Sequence, residues 1–252
     1  MKQILLASIV LIAFAITGCK NAGDSAIPLT SDTVPPILLF NGTGASPNDV
    51  AAVETILNDQ QLNYSTASSS QLDDMSAARL RTYRLLIVAG GDFVAIGNGL
   101  NPSTTAKVRE AVEDGLSYLG ICAGGFFAGH SGYNSLNLTS GVRFGFFSAE
   151  ERGIRKAAVA ISGFGTPTLD QYWEDGPQFT GWGAVVGKYP DGTPAIVEGK
   201  VRDGWVILSG VHAEAPASWR RGMSFRTSVS DDNAYAEMLI RAALERTWLP
   251  NY

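Results

Sequence analysis

One thiol framed by glycines is the first chemistry that the sequence offers. Tyr118-Leu119-Gly120-Ile121-Cys122-Ala123-Gly124-Gly125-Phe126-Phe127-Ala128 is an apolar run that passes through Gly-x-Cys-x-Gly-Gly into small and aromatic residues. That order suits a buried strand, a sharp turn and a helix, the thiol form of a nucleophile elbow. Gly120 and Gly124 clear the space where a Cβ would crowd such a turn. Cys122 then stands at a helix N-terminus, where unpaired amides and the helix dipole favour a thiolate. The plain alternative is a buried structural cysteine packing as a small hydrophobe. The flanking glycines weigh for the elbow.

A thiol nucleophile needs a base, and the chain has two histidines. His130, in Ala128-Gly129-His130-Ser131-Gly132, falls just past the elbow helix and reads as a helix-end residue. His212 follows an apolar run, Ile207-Leu208-Ser209-Gly210-Val211, and is followed two residues later by Glu214. That position is the carboxyl end of a strand, the edge of an α/β sheet where ligands bind. Glu214 could hold the second imidazole nitrogen and stabilise imidazolium, as the acid of a triad does. His-x-Glu alone says little; beside an elbow on the same sheet edge it says much more.

The elements that must position these residues are legible as apolar runs. Ile37-Leu38-Leu39-Phe40 and Leu85-Leu86-Ile87-Val88 are short and solidly apolar, like the run before Cys122. Strands apolar on both faces belong to a mainly parallel sheet covered on both sides. Helices are predicted from Pro47 to Leu57, around Thr104 to Asp114 with Gly115 as C-terminal cap, and from about Asp232 to Arg246 capped by Asp231 or Asp232. The second half is richer in strands, at 157–161, 183–187, 195–198 and 205–209. Asp191-Gly192 and Asp203-Gly204 are read as the turns joining the last three. The expected fold class is α/β, a mainly parallel sheet flanked by helices with a strand-rich second half.

Composition narrows the function. The 252 residues are 45% hydrophobic and 17% charged, enough apolar material for a sizeable core and too little charge for a disordered chain. The formal net charge is −5 and no Lys/Arg-rich run occurs, which argues against a nucleic-acid partner. Two cysteines and two histidines leave no material for a zinc ribbon or a disulfide framework, so neither a metal nor another cofactor is expected.

The N-terminus reads as an address. Lys2 precedes an apolar stretch from Ile4 to Ile16 that is shorter than the roughly 20 residues of a comfortable membrane span. Ile16-Thr17-Gly18-Cys19 resembles the lipobox of bacterial lipoproteins. The resemblance implies a signal peptide over 1–18 and lipidation of Cys19, with the membrane as partner through that cysteine. An ordinary signal peptide with an incidental cysteine, or an uncleaved anchor, is the alternative. Residues 19–35 are small, polar and proline-containing, a flexible tether, and 36–252 read as one domain. The expected location is the cell envelope, lipid-anchored and facing the periplasm, at the outer membrane in a Gram-negative source. Cys122 would then be the one thiol left in an oxidising compartment.

The elbow and the Cys…His-x-Glu order resemble the class I glutamine amidotransferase-like superfamily. Within it the detailed likeness is to the amidotransferase-like N-terminal domain of biotin-protein ligases, in its stand-alone bacterial form. Phe40-Asn41-Gly42-Thr43-Gly44, Ala89-Gly90-Gly91-Asp92, Leu119 to Gly124, Tyr172-Trp173-Glu174-Asp175-Gly176-Pro177, Asp191 to Val197 and Ser209 to Glu214 carry it. The resemblance implies a flavodoxin-like α/β fold and a catalytic triad of Cys122, His212 and Glu214. It further implies an oxyanion hole from the backbone amides of Gly90, Gly91 and Ala123. Donors aimed at a developing oxyanion suit acyl transfer. Asn41, Tyr172, Gly176 and Pro177 are implied to line a substrate pocket. Ala213 stands where His-Pro-Glu is common, which relaxes the backbone and spares both functional groups. Amidotransferases pass ammonia to a synthetase partner, and biotin ligation needs a separate catalytic domain. Neither activity is therefore expected from the resemblance.

Three functions compete on this reading. The first is a lipid-anchored cysteine hydrolase or amidase acting on a small-molecule or peptide-like ligand. The second is a binding module of the same fold without catalysis. The third is a thiol redox sensor at Cys122. A protein partner is left open.

Overall fold

A computed structural model describes residues 34–252. The signal segment 1–18, the lipidation site Cys19 and all of the tether except Val34 and Pro35 lie outside the described residues. The chain opens with strand β1 (Ile37–Phe40), helix α1 (Pro47–Asp59), strand β2 (Tyr64–Ala67), short helices α2 (Ser69–Asp74) and α3 (Ala77–Leu80), and strand β3 (Leu85–Val88). Helices α4 (Phe93–Asn98) and α5 (Pro102–Glu113), strand β4 (Ser117–Ile121) and the elbow helix α6 (Ala123–Ala128) follow. The second half adds β5 (Gly145–Phe146), β6 (Lys156–Gly163), β7 (Leu169–Glu174), β8 (Pro177–Gln178), β9 (Ala184–Lys188), β10 (Pro194–Val201), β11 (Gly204–Ser209) and α7 (Val229–Glu245).

The main sheet runs β2-β1-β3-β4-β11-β10-β9-β6-β7. The first five strands are parallel, and β10, β9, β6 and β7 extend the sheet antiparallel. This is the mixed α/β architecture expected, with the strand-rich half forming the antiparallel wing. Side-chain alternation accounts for the apolar runs. Leu39, Ile87, Leu119 and Ile207 join one core with Val53 of α1 and Leu239 of α7. Leu38, Leu86, Tyr118 and Val206 join the other with Val108 of α5 and Phe127 of α6. A strand buried on both faces has no polar beat to betray it.

Helix ends follow local chemistry. Ser46 caps α1 by accepting from Asp49 N, with Pro47 in the first turn. The cap of α7 differs from the sequence expectation. Ser228, not Asp231 or Asp232, is the N-cap, and Asp231 completes a capping box by accepting from the Ser228 amide. Among the described residues no helix is long and apolar enough to cross a membrane.

The chain end is tied into the sheet. The buried Glu198 carboxylate on β10 accepts from Leu249 N at 2.9 Å, and Tyr252 N donates to Val185 O on β9 at 2.9 Å. Burial holds the Glu198 carboxyl up at about 7, against 4.5 ordinarily, despite the Leu249 bond. Between those values the folded state keeps a proton that the unfolded chain has released, so stability falls as pH rises through the window. Glu198→Gln removes this dependence. In urea melts the variant should match wild type at pH 4 and exceed it at pH 8.

Candidate functional site

The parallel strands deliver their carboxyl ends to one edge. Cys122 follows β4, His212 follows β11, and the Gly90-Gly91 loop follows β3. The order β2-β1-β3-β4-β11 matches the doubly wound arrangement whose ligand crevice lies at this edge.

Cys122 has φ 50° and ψ −105°, a left-handed conformation in a residue with a Cβ. Such strain costs of order 1–3 kcal/mol and persists only where the surroundings enforce it. Here they do. Cys122 N donates to Ser209 O at 2.7 Å, Phe126 N and Gly125 N close the turn onto Cys122 O, and Gly124 N donates to Ala89 O. A Cβ on Gly124 would lie 1.9 Å from Val88 O, and one on Gly120 would lie 2.5 Å from Gly124 O. The glycines of the motif are thus demanded by close backbone approach.

His212 is buried, and its Nδ1 meets two carboxylates: Glu214 Oε1 at 2.8 Å and Asp49 Oδ1 at 3.2 Å. Burial alone would drive the imidazole to its neutral form. The charge of Glu214, then charge and a hydrogen bond from Cys122, overcome it and hold the pKa well above the ordinary 6.5. With Nδ1 engaged by carboxylates, Nε2 is the nitrogen left for the thiol. The Cys122 thiol also donates to Glu174 O at 3.5 Å. His212 N donates to Tyr172 O at 2.8 Å, tying the histidine loop to β7. The Tyr172 hydroxyl donates to Glu174, and burial followed by that bond raises the phenol's pKa.

Nothing in the sequence alone singles out Asp49. It lies in the first turn of α1, where an acidic residue reads as ordinary helix chemistry. The available signal was its place one short loop after β1, at the same sheet edge. Asp49, His212 and Glu214 are also the group of three ligand-type side chains, among the described residues, whose atoms lie within 4.8 Å of one another. The Glu214 hydrogen bond and the Asp49 ion pair at Nδ1 account for their closeness.

Cys122, His212 and Asp49 face a cavity of about 750 Å³, within the range that holds a drug-sized ligand. Gly91, Ala123 and Tyr172 line it beside Cys122 and His212. The amides of Gly91 and Ala123 have no backbone acceptor among the described residues. Gly90 does not line the cavity. A Cβ there would lie 2.0 Å from Asp49 Oδ1 and 2.8 Å from His212 Cε1, so this glycine makes room for the pair.

Three of the pocket residues implied by the resemblance lie elsewhere. Asn41 is exposed, and its amide is bonded to Ala67 O at the far side of β1. Gly176 accepts from Trp173 Nε1 and packs on Gly210, and Pro177 O accepts from the Tyr189 hydroxyl. Both are spent on packing behind the site. His130 is absent from the lining, as are its neighbours in the loop past α6. Phe93, Phe126, Phe146 and Trp219 do line the cavity, and the sequence reading named none of them for it.

Residues 36–156 match the family model for biotin-protein ligase, N terminal. The chain is 24% identical over 217 residues to the biotin–protein ligase of Schizosaccharomyces pombe, covering 72% of this chain and 33% of that protein. It is 28% identical over 159 residues to an uncharacterised protein of Chlamydia muridarum, covering 53% of this chain and 61% of that one. The chain thus spans about a third of the yeast ligase and about three fifths of the chlamydial protein. Among solved structures, a glutamine amidotransferase from Thermotoga maritima superposes with a TM-score of 0.51 at 12% identity, covering 84% of this chain and 96% of that one. At that identity the likeness is one of fold.

Gly90→Ala tests the packing around His212. The added methyl must displace Asp49 or the imidazole, an overpacking cost of about 1–3 kcal/mol. The expected result is a lower urea midpoint with an unchanged slope.

Proposed function

We infer that this chain, related over residues 36–156 to the N-terminal part of biotin-protein ligases and built on the amidotransferase-like fold, is a cysteine-dependent acyl-transfer enzyme. The observation that carries the reading is the buried His212, its Nδ1 2.8 Å from Glu214, lining one cavity with Cys122 on the strained strand-to-helix turn. In the first half-reaction Cys122 Sγ gives up its proton to solvent and attacks an amide carbonyl carbon. The amides of Gly91 and Ala123 receive the oxyanion. The C–N bond then breaks as His212 passes its proton to the leaving amine, and a thioester remains. Water deprotonated by His212 attacks that thioester, releasing the acid and restoring the thiol. Glu214 and Asp49 orient the ring through Nδ1.

The substrate class is a small amide or a peptide-like compound. A lipid anchor at Cys19 and an envelope location facing the periplasm belong to the same proposal and rest on the sequence of residues 1–19. Cells fed a labelled fatty acid should incorporate it into the wild-type protein and lose that label in Cys19→Ser; equal labelling removes the anchor from the proposal.

p-Nitrophenyl acetate tests the chemistry without knowledge of the natural substrate. A burst of nitrophenolate equal to the enzyme concentration, with acetyl on Cys122 by mass spectrometry, is expected. Cys122→Ala should abolish the burst, and His212→Ala should slow it by on the order of a thousandfold. Asp49→Asn should slow it less than His212→Ala does. Undiminished turnover in Cys122→Ala contradicts the reading and leaves a ligand-binding or thiol-sensing role for the cavity.

A further inference from the structure

We propose that Phe93, Phe126 and Phe146 form a subsite for a flat apolar group, so that the preferred substrate carries an aromatic or similarly planar side chain beside the carbonyl that Cys122 attacks. The proposal rests on the acyl-transfer reading and narrows its substrate class.

The three rings come from different elements and meet at the cavity that holds the thiol. Phe93 opens α4, Phe126 lies on the elbow helix four residues after Cys122, and Phe146 lies on β5. Phe93 and Phe126 stack with centroids 5.0 Å apart and an interplanar angle of 26°. Phe126 and Phe146 meet edge to face at 4.9 Å and 62°. Tyr133 extends the array outward from Phe93, at 6.2 Å.

A core cluster would cover all three rings, and here the fold leaves Phe146 and part of Phe93 open. Phe146 is 44% exposed and Phe93 is half-buried, while Phe126 at their centre is 8% exposed. Their positions are nevertheless fixed. β5 pairs with β8 through Gly145–Gln178 and Phe146–Pro177, and Phe147 N donates to Gly176 O at 3.1 Å. Asp92 caps α4 by accepting from the amides of Val94 and Ala95. An aromatic surface held in place yet uncovered, continuous with a nucleophile, is preorganised for a planar apolar partner. A compact polar side chain would leave the ring faces wet, and it would use little of a cavity of about 750 Å³.

The acids of the cavity do not set this preference. Asp92 is spent on its helix, Asp175 pairs with Arg155, Glu174 accepts from Tyr172, and Asp49 pairs with His212. The cations Lys156 and Arg221 and the polar Ser46, Asn48 and Ser218 also line the cavity and can hold polar parts of a substrate, while the phenylalanine wall is its apolar face.

Two affinity labels with the same reactive group separate the possibilities: the chloromethyl ketones of N-acetyl-phenylalanine and of N-acetyl-alanine. In each, Cys122 Sγ forms a bond to the methylene carbon, the C–Cl bond breaks, chloride leaves with the electron pair and the thiol proton passes to solvent. The measured quantity is the second-order inactivation rate on the full chain, with the labelled residue identified by mass spectrometry. The phenylalanyl label should react at least about tenfold faster than the alanyl one. Phe146→Ala and Phe93→Ala should bring that ratio towards one. Phe164→Ala, which removes an exposed ring elsewhere, should leave the ratio intact. Equal rates for the two labels, failure of both to reach Cys122, or a ratio that survives both substitutions overturns the subsite. A chain that shows the p-nitrophenyl acetate burst but no label preference loses this inference and keeps the acyl-transfer reading; a label preference without the burst does the reverse.

Discussion

A charged imidazole with almost no access to water is the constraint on which the site depends. His212 is 2% exposed, and burial disfavours its protonated form. The charge persists because Glu214 at 2.8 Å and Asp49 at 3.2 Å converge on one nitrogen while Cys122 acts on the ring as well. Removing one acid from such an arrangement leaves a buried charge short of its partner, which is costly. The neighbouring backbone is shaped to the same end. Gly90 has no Cβ because Asp49 and the imidazole occupy its place, and the Tyr172–His212 bridge fixes where the histidine loop leaves the sheet.

The sheet converts sequence-distant residues into neighbours. β1, β3, β4 and β11 lie side by side and parallel, so whatever follows each strand arrives at one edge. Asp49, Gly91, Cys122 and His212 arrive by that route. The strain at Cys122 is one product of the same geometry: the turn has to reverse from strand to helix within one residue, and the bonds to Ser209 and Ala89 hold it there. The loop carrying Trp219 is pinned separately, by Arg226 to both carboxylate oxygens of Asp170 and by Arg220 to Asp232.

Much of this was legible because burial on both faces writes itself into the chain as uninterrupted apolar runs. Ile37–Phe40, Leu85–Val88 and the run before Cys122 read as strands for that reason, and Asp191-Gly192 reads as a turn whose Gly192 takes φ 85°. The second turn falls at Arg202-Asp203, one residue before the expected Asp203-Gly204, with Arg202 at φ 52° and Gly204 opening β11. β7 was not read. Asp170 and Gln171 are buried within it, and only the Asp170–Arg226 pair, 56 residues apart, makes burial of that acid tolerable. Ser228 was passed over as a cap because Asp231, its partner in the capping box, is an equally good signal three residues later. Cys122, His212 and Glu214 could be assembled from motif and strand position. Asp49 and the phenylalanine wall could not, since helix-start acids and apolar aromatics have commoner explanations, and only their convergence in space sets them apart.

The most direct measurement is the ionisation of His212 followed by NMR on the full chain labelled at histidine, with His130→Gln used to assign the two imidazoles. The account predicts that His212 keeps the shifts of a charged ring at pH 7 and beyond. It also predicts that Glu214→Gln moves the titration towards lower pH. A His212 ring already neutral at pH 6.5, or one indifferent to Glu214, would contradict the account.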